Sequence, residues 1–510
     1  MAKNNSKEPL GIRIFRGVEL HLLGQAAVFV SALAITPILV RGLGTDGYAL
    51  YTLIWTLLNY LTLFGLGTST ATQRYTALFT AQNDTARLAG LLRSSLLFQI
   101  GTSLLGGALN FALHSWVAAH ILNMDAGLVS TAKTVFASVS FAVPFFFILR
   151  FAMDILYGCQ RFGAYNFFYA LQMLSLAVMA AVLVKTGRGL EEIALSFICI
   201  LAVLSLAALW TVRAVLWPGA AALRAGDTKD YAVFSIKGFL SQALWILTFQ
   251  GDRIFIGALL PLEQMGFYAI ASGIAQKLNA LYAAVSATMF PIFAELQGKQ
   301  ETARLRRVYL KATQLTMFLI IPIAMITFIL APQFLTLWLG ESFSQMGTWP
   351  MRILVISNLA YVGTYLPNNI ATGKGHPHWQ GVMQAGKAVL LIACWAILIP
   401  SNGILGASAG LALAEWVGTP IFLWVVHKQI LSIGWWEFFK EGCWRPICAG
   451  AAVAVMGLAT HGFVGSWSTL FLFGLAAVGI YLVAGYAILE EDAKKLLREW
   501  VSRHLPSQTR

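Results

Sequence analysis

Charge is what this sequence has least of. Only 11% of its 510 residues are Asp, Glu, Lys or Arg, against about a quarter in a soluble domain. Hydrophobic residues make up 58%, and the mean hydropathy is +0.71. A chain so poor in charge cannot cover its surface with polar groups, which excludes a soluble globular protein and leaves a polytopic membrane protein. Acid is scarcer still, with 22 Asp and Glu against 35 Lys and Arg, for a net charge of +13. The basic residues form no single stripe or tail, so the charge does not indicate a nucleic-acid partner. They recur in small groups between apolar runs, which is the pattern of membrane topology.

Other absences narrow the chemistry. The five cysteines (Cys159, Cys199, Cys394, Cys443, Cys448) are scattered through apolar stretches without a CxxC, so there is neither a disulfide framework nor a zinc site. There is no GxxxxGK[ST], HExxH or GxSxG, so nothing indicates ATP-driven transport or hydrolase chemistry within this chain. The two histidines of GKGHPH (373–378) belong to a cytoplasmic turn beside Lys374, a poor setting for a metal. No connection is long enough to fold as a domain. Function must therefore lie among the helices, and no cofactor is expected.

Apolar runs long enough to cross a hydrocarbon core about 30 Å thick lie near 17–40, 48–70, 91–113, 132–153, 164–184, 193–216, 234–260, 266–290, 308–338, 350–371, 379–399, 404–427, 443–463 and 467–489. The first is interrupted by Glu19 and Gln25 and runs on to Val40, too long for the apolar stretch of a signal peptide. With a cytoplasmic N-terminus, 25 of the 35 basic residues fall on inner segments, and only Arg41, Lys185 and Arg188 fall on outer ones. One span too many or too few would scramble that alternation. The expected fold is an all-α polytopic membrane protein of about fourteen transmembrane helices, with both termini cytoplasmic.

An internal repeat divides it further. GYALY (47–51) leads to DTARL (84–88), and GFYAI (266–270) leads to ETARL (301–305), so the offsets are 219 and 217. A shift of six spans is even, which implies two parallel six-helix lobes related by a pseudo-twofold along the membrane normal, plus two C-terminal helices. Such repeats are characteristic of transporters, with the site between the halves. The expected organisation is a cytoplasmic N-terminus (1–16), an N-lobe (17–216), a linker (217–233), a C-lobe (234–427), the last two spans with their loop (428–489), and an amphipathic cytoplasmic tail (490–510). The offset also moves Asp252 and Arg253, in WILTFQGDRIFIG (245–257), from a loop into the seventh helix, leaving PLEQMG (261–266) as the outer loop.

Further charges fall within the expected spans. Lys133, Arg150, Lys237 and Arg352 lie near span ends, where the side chain can snorkel to the interface. Lys277, Lys387 and Glu415 are deep, and Arg253 lies in the outer half of its span. Each charge near the bilayer centre costs about 2.5–3.5 kcal/mol on insertion scales, whereas a Leu or Phe returns only about 0.3–0.6 kcal/mol. A hydrated cationic cavity relieves that cost, with Arg253, Lys277, Lys387, Arg150, Lys237 and Arg352 as its candidate cations. Such a cavity suits a phosphate or diphosphate and repels organic cations. Asp252 and Arg253 point about 100° apart on a helix, so Asp252 is expected to pair with a cation on another helix. Pro37, Pro144, Pro322, Pro367 and Pro420 interrupt spans and supply bends.

Two stretches carry a family resemblance. TPILVRGLGTDGYALYTLIWTLLNYLTLFGLG (36–67) resembles the opening of bacterial polysaccharide-transport (Wzx-type) flippases, within the multidrug/oligosaccharidyl-lipid/polysaccharide (MOP) exporter superfamily. Residues 252–296 resemble the seventh and eighth spans of that family, with its Asp, Gly, Gly-x-Tyr and closing Pro at Asp252, Gly257, Gly266 with Tyr268, and Pro291. The resemblance implies a monomeric flippase of the bacterial inner membrane. Its expected substrate is an undecaprenyl-diphosphate-linked oligosaccharide, moved from the cytoplasmic to the periplasmic leaflet. It also implies coupling to a proton or sodium gradient, with Asp252 and Glu415 as candidate sites. Membrane lipids and the glycan polymerase and chain-length or export machinery are the implied partners. Deep charge is concentrated in the second lobe; the first shows only Glu19, His21 and Gln25 near its cytoplasmic entry, so a symmetric site is not carried over. A peptidoglycan-precursor flippase, a cation-coupled drug exporter and a membrane glycan polymerase or ligase remain open as alternatives.

Overall fold

The structure, a computed structural model, describes residues 10–219, 224–374, 376 and 378–488. Among the described residues there is no strand. These residues form sixteen α-helices, in order: α1 (Leu10–Leu61), α2 (Thr68–Ala81), α3 (Thr85–Trp116), α4 (Ala126–Gly158), α5 (Phe162–Lys185), α6 (Leu190–Leu216), α7 (Ala225–Leu259), α8 (Leu262–Ala275), α9 (Leu278–Gly298), α10 (Thr302–Leu339), α11 (Glu341–Val362), α12 (Tyr365–Gly373), α13 (His378–Val426), α14 (Trp435–Phe438), α15 (Trp444–Thr460) and α16 (Trp467–Ile488). Among the described residues, ten helical segments are long and apolar enough to cross a membrane.

Several expected runs are joined or broken. α1 covers the first run and most of the second, turning at Gly44 (φ 74°, ψ 175°), and α13 covers the eleventh and twelfth, turning at Gly403 (φ 58°, ψ −139°). Conversely, the eighth run is split into α8 and α9, and the tenth into α11 and α12. PLEQMG is not a loop. α7 ends at Leu259 and α8 restarts at Leu262, with Pro261 just before the first helical residue, where its missing N–H costs nothing. The tail 490–510 and the side chains of Glu19, His21 and Gln25 lie outside the described part.

The repeat is visible in the backbone. Asn83 and Gln300, 217 residues apart, both take φ 56°, just before Asp84 and Glu301 of the repeated motif. In each turn the following N–H closes on the preceding helix, Asp84 on the carbonyl of Phe79 at 3.1 Å and Glu301 on that of Leu296 at 3.0 Å. This left-handed turn satisfies carbonyls that a helix end would leave bare. Gln160 repeats it before Arg161, which closes on Leu156 at 2.8 Å.

The chain divides into two compact units, Met1–Ala269 with Ala388–Ala407, and Ile270–Lys387 with Ser408–Arg510. This division differs from the chain-order boundary at 217–233, because α7 packs against α1 and α2 and stays with the first unit. In that unit α4 packs against α6, α3 and α2. α6 shows how the sequence sets its sides: Ile193, Phe197, Leu201, Leu204 and Ala208 are buried, whereas Leu195, Val203, Leu206 and Trp210 are exposed. An exposed stripe this apolar is a lipid-facing surface. In the second unit α10 packs against α11, α9, α15 and α16.

Candidate functional site

Asp252 and Arg253 sit inside α7, as the repeat offset required. Asp252 is 1% exposed. The expected cation on another helix is not its partner. The Tyr268 hydroxyl donates to Oδ2 at 2.7 Å and the Arg253 amide to Oδ1 at 2.8 Å. A phenol and an amide satisfy the carboxylate without a second charge. Arg253 turns away to α1, where Nη1 donates to Thr56 Oγ1 at 3.0 Å, while its buried Nε has no hydrogen-bond acceptor.

Lys387 and Glu415, read from the sequence as a cavity cation and an ion-coupling candidate, are each other's partners. Nζ lies 2.8 Å from Glu415 Oε2, with the side chains 2% and 1% exposed. Thr419 donates to the same oxygen at 3.3 Å, and the ammonium stands 5.2 Å from the Tyr361 ring centre. Glycine makes room for this pair: a Cβ on Gly418 would fall 2.3 Å from Lys387 Cγ. Lys387 is thus a paired, enclosed cation in this structure, not one open to a cavity.

Lys277 stands in the break between α8 and α9 and is exposed. It occupies the position before α9 with no side-chain cap, so its charge adds to the positive end of that helix. Farther along α9, its C-terminal end and the start of α10 form a groove of about 490 Å³. Arg304, Arg307 and Lys311 line it from α10, with Val308, Ala312 and Leu315 of the same helix between and beside them, and Val285, Met289 and Ile292 line it from α9. The i, i+3, i+7 spacing of the cations and the i, i+4, i+7 spacing of the apolar residues place each set along one helix face.

The remaining predicted cations are dispersed. Arg352 donates from Nε to the Phe328 carbonyl at 2.9 Å and lies over the Phe328 and Trp349 rings. Lys237 is exposed on α7. Arg150 lines a small pocket in the first unit with Asp154, a residue the sequence reading missed. Asp154 stands one residue beyond the expected end of the fourth span, but α4 continues to Gly158 and buries it at 4% exposure. The first unit therefore does hold an enclosed acid of its own. The four-residue spacing of Arg150 and Asp154, one helical turn, was the available signal.

Apolar helices with broken spans and enclosed charge suit a membrane transporter. The fold agrees: an inward-facing multidrug-resistance MATE transporter of the MOP superfamily superposes with a TM-score of 0.67 at 14% identity, over 81% of this chain and 98% of that one. The lipid II flippase MurJ, in an inward closed conformation, gives 0.60 at 12% identity, over 94% of this chain and all of MurJ. The chain belongs to the polysaccharide biosynthesis protein family, whose model matches residues 38–347. It is also similar to a putative O-antigen transporter of Shigella flexneri, 20% identical over 410 residues that make up 80% of this chain and 96% of that relative.

Proposed function

We propose that this protein flips an undecaprenyl-diphosphate-linked oligosaccharide from the cytoplasmic to the periplasmic leaflet of a bacterial inner membrane. It does so by alternating access, for the synthesis of a surface or exported polysaccharide. The observation that carries this reading is the groove of α9 and α10, whose cations and apolar wall lie side by side. A polyprenyl diphosphate has that same division, an anionic head on an apolar chain. Arginine and lysine give charge-assisted hydrogen bonds to phosphate oxygens, and Val285, Met289 and Ile292 match the first isoprene units. An organic cation would meet repulsion from Arg304, Arg307 and Lys311.

In this reading the chain has fourteen spans and cytoplasmic termini, with α1 and α13 each crossing twice. Lys277, beside the start of α9, is the next cation along the same helix. Broken membrane helices with their positive ends turned to anionic groups are a recurrent transporter device. The protein acts as a monomer and hands its product to a glycan polymerase and chain-length or export machinery, driven by a proton or sodium gradient.

Deletion of the protein tests this reading. The expected result is a viable strain that lacks one surface glycan and accumulates the corresponding lipid-linked oligosaccharide. Lethality with a block in peptidoglycan would indicate the alternative suggested by the full-length match to MurJ. The triple variant Arg304→Gln, Arg307→Gln, Lys311→Gln should reach the membrane without restoring the glycan. Normal glycan in that variant would rule out the groove.

A further inference from the structure

Asp154 is buried in the first unit with half of its carboxylate unanswered. Gln73 donates from Nε2 to Oδ1 at 2.8 Å and the Ser69 hydroxyl also bears on the carboxylate, whereas Oδ2 has no donor at hydrogen-bonding distance. The carboxylate borders a small pocket of about 20 Å³ whose wall includes Thr62, Ser69, Gln99, Arg150 and Gln242. That is room for about one water molecule. A charged oxygen shut away from water without a donor is costly. Two changes relieve it, a compensating cation or a proton.

The compensation on hand is incomplete. Arg150, one turn earlier on α4, acts on Asp154 through space without an ion pair to it. The other titratable groups that act with Asp154 are Tyr165 on α5 and Tyr231 on α7. The Tyr231 hydroxyl is already engaged with Thr72 at 2.8 Å, Ser95 at 2.6 Å and the Thr68 carbonyl at 3.1 Å. α2 and α3 bring only the uncharged Ser69, Gln73 and Gln99 to the site. The other buried acids among the described residues are better answered: Asp227 is ion-paired with Arg87, Asp252 has a donor on each oxygen, and Glu415 has an ammonium in contact.

The pocket also lies at a mechanical joint. Thr62 and Gly67 belong to the break between α1 and α2, and α7 closes on it. Gln242 of α7 donates to Thr62 Oγ1 at 3.0 Å. Gly67 takes φ +76°, and a Cβ there would fall 2.1 Å from the Ser235 carbonyl oxygen of α7. A change of charge at Asp154 is therefore felt where α7 meets this break.

From this geometry we infer that Asp154 is a proton-binding site of the first unit. Oδ2 takes a proton from a hydronium ion in the pocket, forming the neutral acid and releasing water, and the reverse step returns the anion, balanced by Arg150. A metal cation fits less well, because the guanidinium lines the same pocket. The inference goes beyond the proposed function and does not depend on the glycan.

Infrared difference spectra of the purified full chain in lipid nanodiscs, taken over a pH series in potassium buffer without substrate, test it. Subtracting the Asp154→Asn spectra from the wild type should leave one carboxylic-acid C=O band that grows as pH falls. Arg150→Gln should raise the midpoint of that band by roughly one pH unit or more, since a nearby opposite charge favours the ionised form. Superimposable wild-type and Asp154→Asn spectra would overturn the inference. So would a band that responds to sodium at constant pH, which would mark a metal-cation site. If Asp154→Asn does not accumulate, Arg150→Gln alone decides, because it keeps Asp154: a raised midpoint supports the site and an unmoved one removes it. No glycan enters the assay, so its failure is distinct from failure of the flippase reading.

Discussion

Lys387 Nζ lies 2.8 Å from Glu415 Oε2, and the two residues stand on opposite arms of one bent helix, α13. Both are shut away from solvent, so each neutralises a charge that the other could not afford to leave alone. Removing one partner of a buried ion pair strands the other, at a cost of about 3–5 kcal/mol, whereas replacing both by apolar groups is often nearly neutral. Lys387→Met and Glu415→Gln should each lower the midpoint of thermal unfolding in detergent. Lys387→Met combined with Glu415→Leu should recover most of the loss. Additive losses in the double variant would mean that the pair does not act as a unit.

Gly418 is the space into which the stem of Lys387 passes. Alanine there would displace Lys387 and loosen its contact with Glu415, so Gly418→Ala should lose nearly as much thermal stability as Lys387→Met. In a Lys387→Ala background the same substitution should cost little, because the obstructing methylenes are gone. A melting series of the four proteins measures this. An equal loss from Gly418→Ala in both backgrounds would place the strain elsewhere.

Tyr268 answers Asp252 with a neutral hydroxyl. Hydrogen bonds to charged groups contribute about 1.5–3 kcal/mol. Tyr268→Phe should therefore destabilise the protein by that order, and Tyr268→Phe with Asp252→Asn by less than the sum of the two. Thermal unfolding of the double-mutant cycle supplies the coupling energy. A coupling near zero would show that Asp252 draws its stability from the Arg253 amide alone.

Part of this was legible in the sequence. The shift of about 218 residues placed Asp252 within a helix, and the turns at Asn83 and Gln300 show that the repeat reaches individual backbone angles. The Lys387–Glu415 pair was also within reach. The two lie 28 residues apart with NG at 402–403 between them, and a tight turn there folds the two arms side by side. Asp154 was missed because a hydropathy window ends a span at the first acid, while a helix ends where its hydrogen bonds do. That Tyr268 would answer Asp252 was hidden for a different reason. A tyrosine hydroxyl carries no charge, so charge pairing could not point to it.

Lys277 separates the transport role from these structural ones. It lies in the break between α8 and α9 and is exposed, unlike the enclosed Lys387. A side chain with no buried partner to strand contributes little to folding. Lys277→Ala should therefore accumulate in the membrane with a melting temperature near that of the wild type, yet fail to restore surface glycan in a deletion strain. Lys277→Arg keeps the charge and should retain part of the activity, whereas Lys277→Glu, which repels phosphate, should be as inactive as the deletion. Quantifying surface glycan and membrane protein level in the same cells distinguishes the cases. Full activity in Lys277→Ala would remove this cation from the substrate path, and a collapse in protein level would make its role structural.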